Sequence, residues 1–247
     1  MRARFWGLFA SAIVAMPSSE AVVPSSETLD LGEAPLPSER ARRDAGRPLA
    51  PASANDGFRV DVSRREQVRN FYNTVFVSSE GIDEGWTGTY DGCVEGTTTA
   101  EFKDAVLRRI NYYRAMAGLP AGVVWDAGYS AKAQKAALIM SAQNGLSHFP
   151  PATWACYTAE GSEAAANSNI ALGNSGPGAI DGYMEDHGAG NKPVGHRRWL
   201  LYPQTRVMGT GDVPGGGGRR PANAVWVFDG KFGTSRPETR EAYVAWP

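Results

Sequence analysis

Three histidines, His148, His187 and His196, are the side chains of this chain best suited to chemistry near neutral pH. Histidine is the commonest metal ligand and the usual general base in this pH range. His148 closes a stretch with helical spacing, and the other two bracket a glycine-rich loop. All three therefore lie at the ends of predicted elements, where side chains converge on clefts. A lone histidine is more often a surface group or a structural hydrogen-bond partner, and this alternative stays open for each.

The histidines depend on helices whose ends are marked in the sequence. Thr98 precedes Glu101 by three residues, which is a capping-box arrangement and predicts a helix start. Apolar residues at helical spacing follow, and Gly118 is a natural stop. A second helix is predicted over 126–144 with Asp126 as its N-cap, and a third over 177–186 with proline in its first turn.

The hydrophobic pattern changes after the last histidine. Residues 206–211 and 223–229 alternate as strands do, and the glycines of 215–218 predict a loose hairpin loop between them. An earlier amphipathic helix is predicted to begin near Ser63. Helices in the first half and strands in the second half are typical of an α+β protein.

Composition excludes several classes of protein. The chain has 247 residues with 25 Lys and Arg against 26 Asp and Glu, so its formal net charge is −1. A dedicated nucleic-acid or membrane-surface protein needs a basic field, which this chain lacks. The 42% of hydrophobic residues is enough for one sizeable core. After the first twenty residues no apolar run approaches the length of about 20 that spans a bilayer, so no transmembrane segment is expected after signal removal.

The N-terminus has the pattern of a secretory signal. Arg2 precedes an apolar run over 5–16, and small residues follow, which predicts a signal peptide over 1–21. Residues 22–62 are rich in Pro, Ser, Ala and Arg without apolar periodicity, so we expect a disordered leader. The folded domain is expected over 63–247, with a helical extension over 63–97.

Two cysteines, Cys93 and Cys156, are the whole complement of the chain. In an exported protein an even number of thiols usually pairs, so we expect a disulfide between them. The alternative is two buried free thiols in a reducing compartment. Export disfavours that alternative, and the prediction of the bond therefore depends on the prediction of the signal peptide.

A series of motifs runs in order through the rest of the chain. They are Asn111-x-x-Arg114, Gly118-Leu119-Pro120, Trp125-Asp126, Ser147-His148, the segment SNIALG, the segment GAIDGYMED and the segment GHRRWLLYPQTRVMGTG. Together they resemble the CAP superfamily, the secreted cysteine-rich, antigen-5 and pathogenesis-related type domains. The resemblance implies an α-β-α sandwich in which helices flank a small antiparallel sheet.

The resemblance also implies a site. CAP domains bring two histidines and two acidic residues to the floor of a central cleft, where a divalent metal can bind, and His148 and His196 match the histidine positions. Ser168 stands where the family has a glutamate before Asn169, and Asp186 matches the second acid with a shorter reach. These five residues are the predicted ligand-binding cleft.

Two kinds of chemistry follow for this cleft. His148, His196 and Asp186 are the predicted ligands of a zinc ion with water in the fourth position, although the loss of one carboxylate weakens such a site. Ser168, His196 and Asp186 have the residue types of a hydrolytic triad, but no Gly-x-Ser-x-Gly elbow surrounds the serine.

These features predict an exported, monomeric CAP-domain protein whose cleft binds an extracellular ligand or protein, in the medium or at the cell envelope, with no nucleic-acid partner. The alternative is a divalent-metal-dependent hydrolase or peptidase in which His148, His196 and Asp186 hold a metal-activated water. The missing glutamate disfavours the alternative, because a hydrolase needs a general base beside its water. The sequence does not indicate the ligand class, any catalytic residue or a certain cofactor.

Overall fold

The computed structural model describes residues 29–36, 57–188, 191, 193–231 and 233–240, and the predicted signal peptide lies outside them. The helices are α1 (Arg65–Phe71), α2 (Ala100–Met116), α3 (Ala127–Gln143), α4 (Ala159–Asn167), α5 (Gly176–Glu185) and α6 (Gly195–Leu200). The strands are β1 (Val124–Trp125), β2 (Ser168–Leu172), β3 (Val207–Val213) and β4 (Ala222–Trp226). After α1 the chain continues as a π-helical turn over Tyr72–Phe76 and a 3-10 turn over Val77–Ser79.

The helix ends follow the capping signals of the sequence with one shift. Asp126 caps α3 as predicted, because its Oδ1 accepts a hydrogen bond from the Tyr129 N–H at 2.7 Å. The prediction that Thr98 caps α2 is wrong by one residue. Thr99 is the cap, and its hydroxyl accepts from the Phe102 N–H at 3.1 Å. Glu101 then lies at the second helical position, where the return bond of a capping box does not form.

The sheet has the strand order β1-β3-β4-β2. β4 is antiparallel to both β3 and β2, whereas the short β1 runs parallel to β3. The sheet is therefore mixed, and the expectation of a purely antiparallel sheet holds for its three longer strands. β2 is the outer strand on one side, so its free edge faces away from β4.

Helices cover both faces of the sheet, which makes the α-β-α sandwich expected from the sequence. α3 and α4 pack on one face with Ile170 and Trp226 of the sheet, and α2, α5 and α6 pack on the other with Met208 and Val225. Glycine at 209 and 211 allows α3 to approach β3 closely, because a Cβ at either position would overlap the backbone of α3.

Asn111 and Arg114 of α2, the two residues of the Asn-x-x-Arg motif, hold parts of the fold together by hydrogen bonds to the main chain. Asn111 exchanges two hydrogen bonds of 3.0 Å with the main chain of Val123. The fully buried Arg114 guanidinium donates to four main-chain carbonyl oxygens. Its acceptors are the carbonyls of Pro120, Leu200, Tyr202 and Thr205, at 2.8 to 3.2 Å. One side chain thus fixes the end of α2 to the chain that leaves α6.

Cys93 and Cys156 form the predicted disulfide, with their Cα atoms 5.1 Å apart. The bond joins the segment before α2 to the loop between α3 and α4, across 63 residues of sequence. Nearby, the Tyr90 hydroxyl bonds Ser141 of α3 and the carbonyl of Pro214. The segment before α2 is therefore attached to the α3 side of the sandwich both covalently and by hydrogen bonds.

One part of the expected disordered leader is ordered. Residues 29–36 lie against the domain, with Leu31 only 3% exposed in the core beside α5 and α6. Asp30 forms two backbone hydrogen bonds of 2.8 Å with Leu172 at the free edge of β2. The sequence predicts a disordered leader over 22–62, whereas in the structure these eight residues make buried contacts with parts of the chain that are far away in sequence. Residues 22–28 and 37–56 lie outside the described part of the chain.

Candidate functional site

Residues 29–35, which we call the strap, contact the edge of β2 at Leu172, His148 in the loop after α3, and Gly195 and Trp199 of α6. We call the surface that these contacts define the groove. Of the predicted site residues, His148 contacts the strap, whereas Asn169, Asp186 and His196 form a separate buried group.

His148 contacts the strap directly. Its Nε2 lies 2.6 Å from the carbonyl oxygen of Glu33, and its Nδ1 lies 2.6 Å from the carbonyl oxygen of Ala165 in α4. The side chain is half-buried. Both ring nitrogens thus face carbonyl oxygens, and a carbonyl can only accept a hydrogen bond. The imidazole connects α4 to the strap.

Trp199 faces the strap from α6. Its indole N–H donates to the carbonyl oxygen of Pro35 at 2.8 Å, and its ring packs edge-on against Phe228 at 4.8 Å between centroids. The ring is therefore part of the core, while its polar end faces the groove. The sequence favours a packing role for Trp199, and it gives no signal for this second contact.

Asn169, Asp186 and His196 form a buried group behind α6. His196 is fully buried, and its Nδ1 donates to Asp186 Oδ1 at 2.8 Å. Asp186 Oδ2 also accepts from the Arg197 N–H at 3.2 Å. Asn169 Nδ2 donates to the carbonyl oxygen of His196 at 3.0 Å. These bonds fix the start of α6 against β2 and the end of α5.

Two atoms of this group have unused hydrogen-bonding capacity. His196 Nε2 and Asn169 Oδ1 are buried and have no hydrogen-bond partner in the described structure. The His196 ring stacks on Tyr183 at 5.7 Å between centroids, which holds it in the core rather than in the groove. An acid-histidine pair with a free Nε2 is the beginning of a catalytic triad, but a nucleophile is required beside it.

Ser168 does not supply that nucleophile. Side chains alternate along a strand, so Ser168 and Asn169 point to opposite faces of β2. Asn169 faces His196, and Ser168 is therefore directed to the layer of α3 and α4. It is fully buried, and its hydroxyl has no partner in the described structure. His187 is also separate, since it is exposed and pairs with Glu185 at 2.8 Å.

The predicted zinc set does not fit this arrangement. A metal needs the lone pairs of its ligands, but both nitrogens of His148 face carbonyl oxygens and Asp186 is bound by His196 Nδ1 and the Arg197 N–H, which leaves only the buried Nε2 of His196. Within the described residues, no group of three or more His, Cys, Asp or Glu side chains is arranged to hold a metal ion. The three side chains predicted as zinc ligands instead bond to main-chain carbonyls and to one another.

A second buried polar group, for which the sequence gives no local signal, lies at the start of α5. Asp212 of β3 is fully buried, and burial raises its pKa while three hydrogen bonds oppose the rise. These come from Asn223 Nδ2 at 2.7 Å, the Gly176 N–H at 2.6 Å and the Thr210 hydroxyl at 2.9 Å. Burial, together with the nearby Asp212, raises the pKa of Glu84 to about 7.

Comparison with known proteins identifies one region of the chain. The family model of CAP, the cysteine-rich secretory protein family, matches residues 107–229. This region includes α2 to β4, and with them His148, the buried group behind α6 and Trp199. No curated protein and no solved structure matches the chain. Within the described residues, no helix combines the length and the apolar character that crossing a bilayer requires.

Proposed function

The chain carries a domain of the CAP superfamily, and from this premise we propose that it is an exported protein whose groove along β2 binds a ligand or protein partner outside the cytoplasm. One observation carries the proposal. His148 Nε2, the Trp199 indole N–H and the main chain of Leu172 all point out of the domain into the groove, and the strap supplies their partners. The strap lies outside the region 107–229 that matches the family.

The five predicted cleft residues then have different roles. His148 touches whatever occupies the groove. Asn169, Asp186 and His196 position α6, because their bonds to one another and to the Arg197 N–H set where Gly195 and Trp199 stand. Ser168 is part of the sandwich interior. The proposed function is binding, since none of these residues combines an accessible nucleophile with a base.

The binding proposal is tested through the histidines themselves. The chain has three histidines, so an NMR spectrum of the imidazoles contains three sets of signals. Suitable probes are a chito-oligosaccharide, sodium laurate and an extended peptide, each titrated into the oxidised full chain while binding is measured by calorimetry. A probe that binds should shift the His148 signals and leave those of the exposed His187 unchanged. Binding of no probe, or binding without a change at His148, would contradict the proposal.

Export is tested separately. The full chain, produced in a host with a secretion pathway, should appear outside the cytoplasm with its first residues removed near residue 21 and with Cys93 and Cys156 oxidised. The disulfide supports this part of the proposal, because such bonds persist in oxidising compartments. Retention of the intact N-terminus in the cytoplasm would contradict it.

The metal-dependent hydrolase is the weaker candidate, because both nitrogens of His148 face carbonyl oxygens and Asp186 is already bound by His196 and the Arg197 N–H. If zinc were held by these residues, His196→Ala would abolish binding of Zn²⁺ in calorimetry. We expect His196→Ala and the wild type to give the same Zn²⁺ titration and neither to hydrolyse a fluorogenic peptide.

A further inference from the structure

The strap is recognised mainly through its backbone. Its polar contacts with the domain are the two main-chain bonds between Asp30 and Leu172, the Glu33 carbonyl at His148 and the Pro35 carbonyl at Trp199. Any extended peptide presents the same N–H and C=O groups. An outer strand with free N–H and C=O groups is a template for such a segment, and addition of a strand is a recurrent mode of peptide recognition.

Two side chains of the strap supply selectivity. Leu31 is 3% exposed and joins the core beside α5 and α6, and Pro35 is buried four residues later. The positions between them differ in their exposure, because Gly32 and Glu33 face solvent while Ala34 is half-buried. The groove therefore selects a leucine-type side chain followed by proline at the fourth position after it, and it accepts polar residues between the two.

Two glycines of the domain, Gly182 and Gly195, leave space for the strap. A Cβ at Gly182 of α5 would meet the Leu29 side chain, and one at Gly195 of α6 would meet Ala34. Neither glycine has a positive φ, so backbone conformation does not explain the choice of residue. The groove is thus shaped for a chain that lies between the two helices and the edge of β2.

We infer that this groove is a site for extended peptides of the pattern Leu-x-x-x-Pro, running antiparallel to β2, and that the strap occupies it as a tethered ligand of the same chemistry. The inference deepens the proposed function, on which it rests, by naming the class of ligand. A free peptide competes with a segment of the same chain, and for tethered segments the effective concentration is on the order of 1 mM. Ligand binding is therefore reduced until the strap leaves the groove.

The test weakens the strap in the full chain and measures binding of a fluorescent peptide with the sequence of residues 29–36, by fluorescence anisotropy. Leu31→Ser removes the buried anchor of the strap. Leu36→Ser is the matched control, since Leu36 directly follows the strap and is 80% exposed. The Leu31→Ser chain should bind the peptide at least about tenfold more tightly than the wild type, because the tethered competitor has been weakened. Leu36→Ser should bind it like the wild type.

A second variant protects the test against misfolding. Ala34→Arg places a large side chain against Gly195 and expels the strap without changing Leu31, so it should also increase peptide affinity. Adding Gly195→Val to either variant should remove the gain, because the new side chain fills the place of Ala34. A peptide with serine in place of Leu31 should fail to bind. Folding of each variant is checked by circular dichroism and by the oxidised state of the cysteines.

Each outcome separates this inference from the proposed function. Equal peptide affinity in the wild type, Leu31→Ser and Ala34→Arg would overturn the inference, as would a gain that survives Gly195→Val. If the chito-oligosaccharide or laurate shifts the His148 signals of Leu31→Ser and the peptide does not, the groove binds ligands of another class and the peptide assignment alone is wrong. If no probe shifts them, the groove is not a ligand site and both proposals fall.

Discussion

Glu84→Gln is expected to remove a pH dependence from the stability of the fold. Glu84 lies beside the buried Asp212, and burial with this neighbour raises its pKa from the ordinary value of 4.5 to about 7. Its Oε2 accepts a hydrogen bond from Ser175 at 3.1 Å, whereas Oε1 is buried without a partner in the described structure. The exposed Asp83 also raises the pKa of Glu84, and Lys103 lowers the pKa of Asp212.

The sign follows from proton linkage. Below pH 4.5 both the folded and the unfolded chain hold the Glu84 proton. Between pH 4.5 and about 7 the folded chain keeps a proton that the unfolded chain has lost, so the free energy of unfolding falls as the pH rises. Above about pH 7 the folded chain has lost this proton too, and Glu84 causes no further fall in the free energy of unfolding. Glutamine keeps a neutral side chain at every pH, and the variant therefore lacks this decline.

The magnitude follows from the same pKa values. A pKa difference of about 2.5 corresponds to about 3.4 kcal/mol for a fully buried group. Glu84 is only partly buried, and solvent screening reduces the effect, so we expect about 2 kcal/mol. Glu84→Gln should match the wild type near pH 4.5 and exceed its free energy of unfolding by about 2 kcal/mol above pH 7.

Urea unfolding followed by circular dichroism at a series of pH values measures this difference. Glu101→Gln, an exposed glutamate on α2, is the control and should follow the wild-type curve. A constant difference between Glu84→Gln and the wild type at all pH values would refute the reasoning. A wild type that gains stability relative to the variant as the pH rises would also refute it.

Three further predictions concern the fold. Cys93→Ser should lower the free energy of unfolding by about 4 kcal/mol, because the bond closes a loop of 63 residues; urea unfolding measures the loss, and a loss below about 1 kcal/mol would contradict it. Gly211→Ala should lower the free energy of unfolding by at least about 3 kcal/mol, because the new Cβ forces β3 away from α3. Gly216→Ala has open space around it and should lower the free energy of unfolding by less than about 1 kcal/mol in the same assay. Arg114→Met should lower the free energy of unfolding by about 4 kcal/mol, because three buried carbonyls and the half-buried carbonyl of Pro120 lose their donor. Arg69→Met, at an exposed position, should be nearly neutral in thermal unfolding, and equal melting temperatures for the two variants would show that the four bonds contribute nothing.

The long helices were predictable because local signals mark them. Asp126 caps α3, and Asn144 ends it in the left-handed conformation with a φ of 53°. Gly118, with a φ of 75°, follows α2 as the sequence indicates. Each of these signals acts within one or two turns of the residue that gives it. α2, α3 and α5 were therefore placed to within about two residues of their observed ends, the uncertainty usual for such boundaries.

α4 and the strap were missed for a different reason. α4 is a nine-residue helix that contains a glycine in its first turn and the acidic residues Glu160 and Glu163. In the structure these acids pair with Lys135 and Lys132 of α3. The strap has only the alternation of Leu29 and Leu31 as a local signal, and its stability comes from α5, α6 and β2, more than 130 residues away in sequence. Periodicity does not report contacts at such a distance.

Ser168 stands where the family has a glutamate, and this replacement is consistent with a groove that binds its ligand without a carboxylate at that position. Because Ser168 faces the α3 and α4 layer, a carboxylate there would be buried among Ile170 and Trp226 neighbours, where an unpaired charge is costly. The group beside His148 Nδ1 is instead the carbonyl oxygen of Ala165, in the last turn of α4, at 2.6 Å. His148 is thus oriented by the backbone, and its Nε2 is presented to the groove without any acidic partner. A histidine with carbonyl oxygens at both ring nitrogens is suited to hydrogen-bonding a peptide backbone, such as that of Glu33, and not to holding a metal with Asp186.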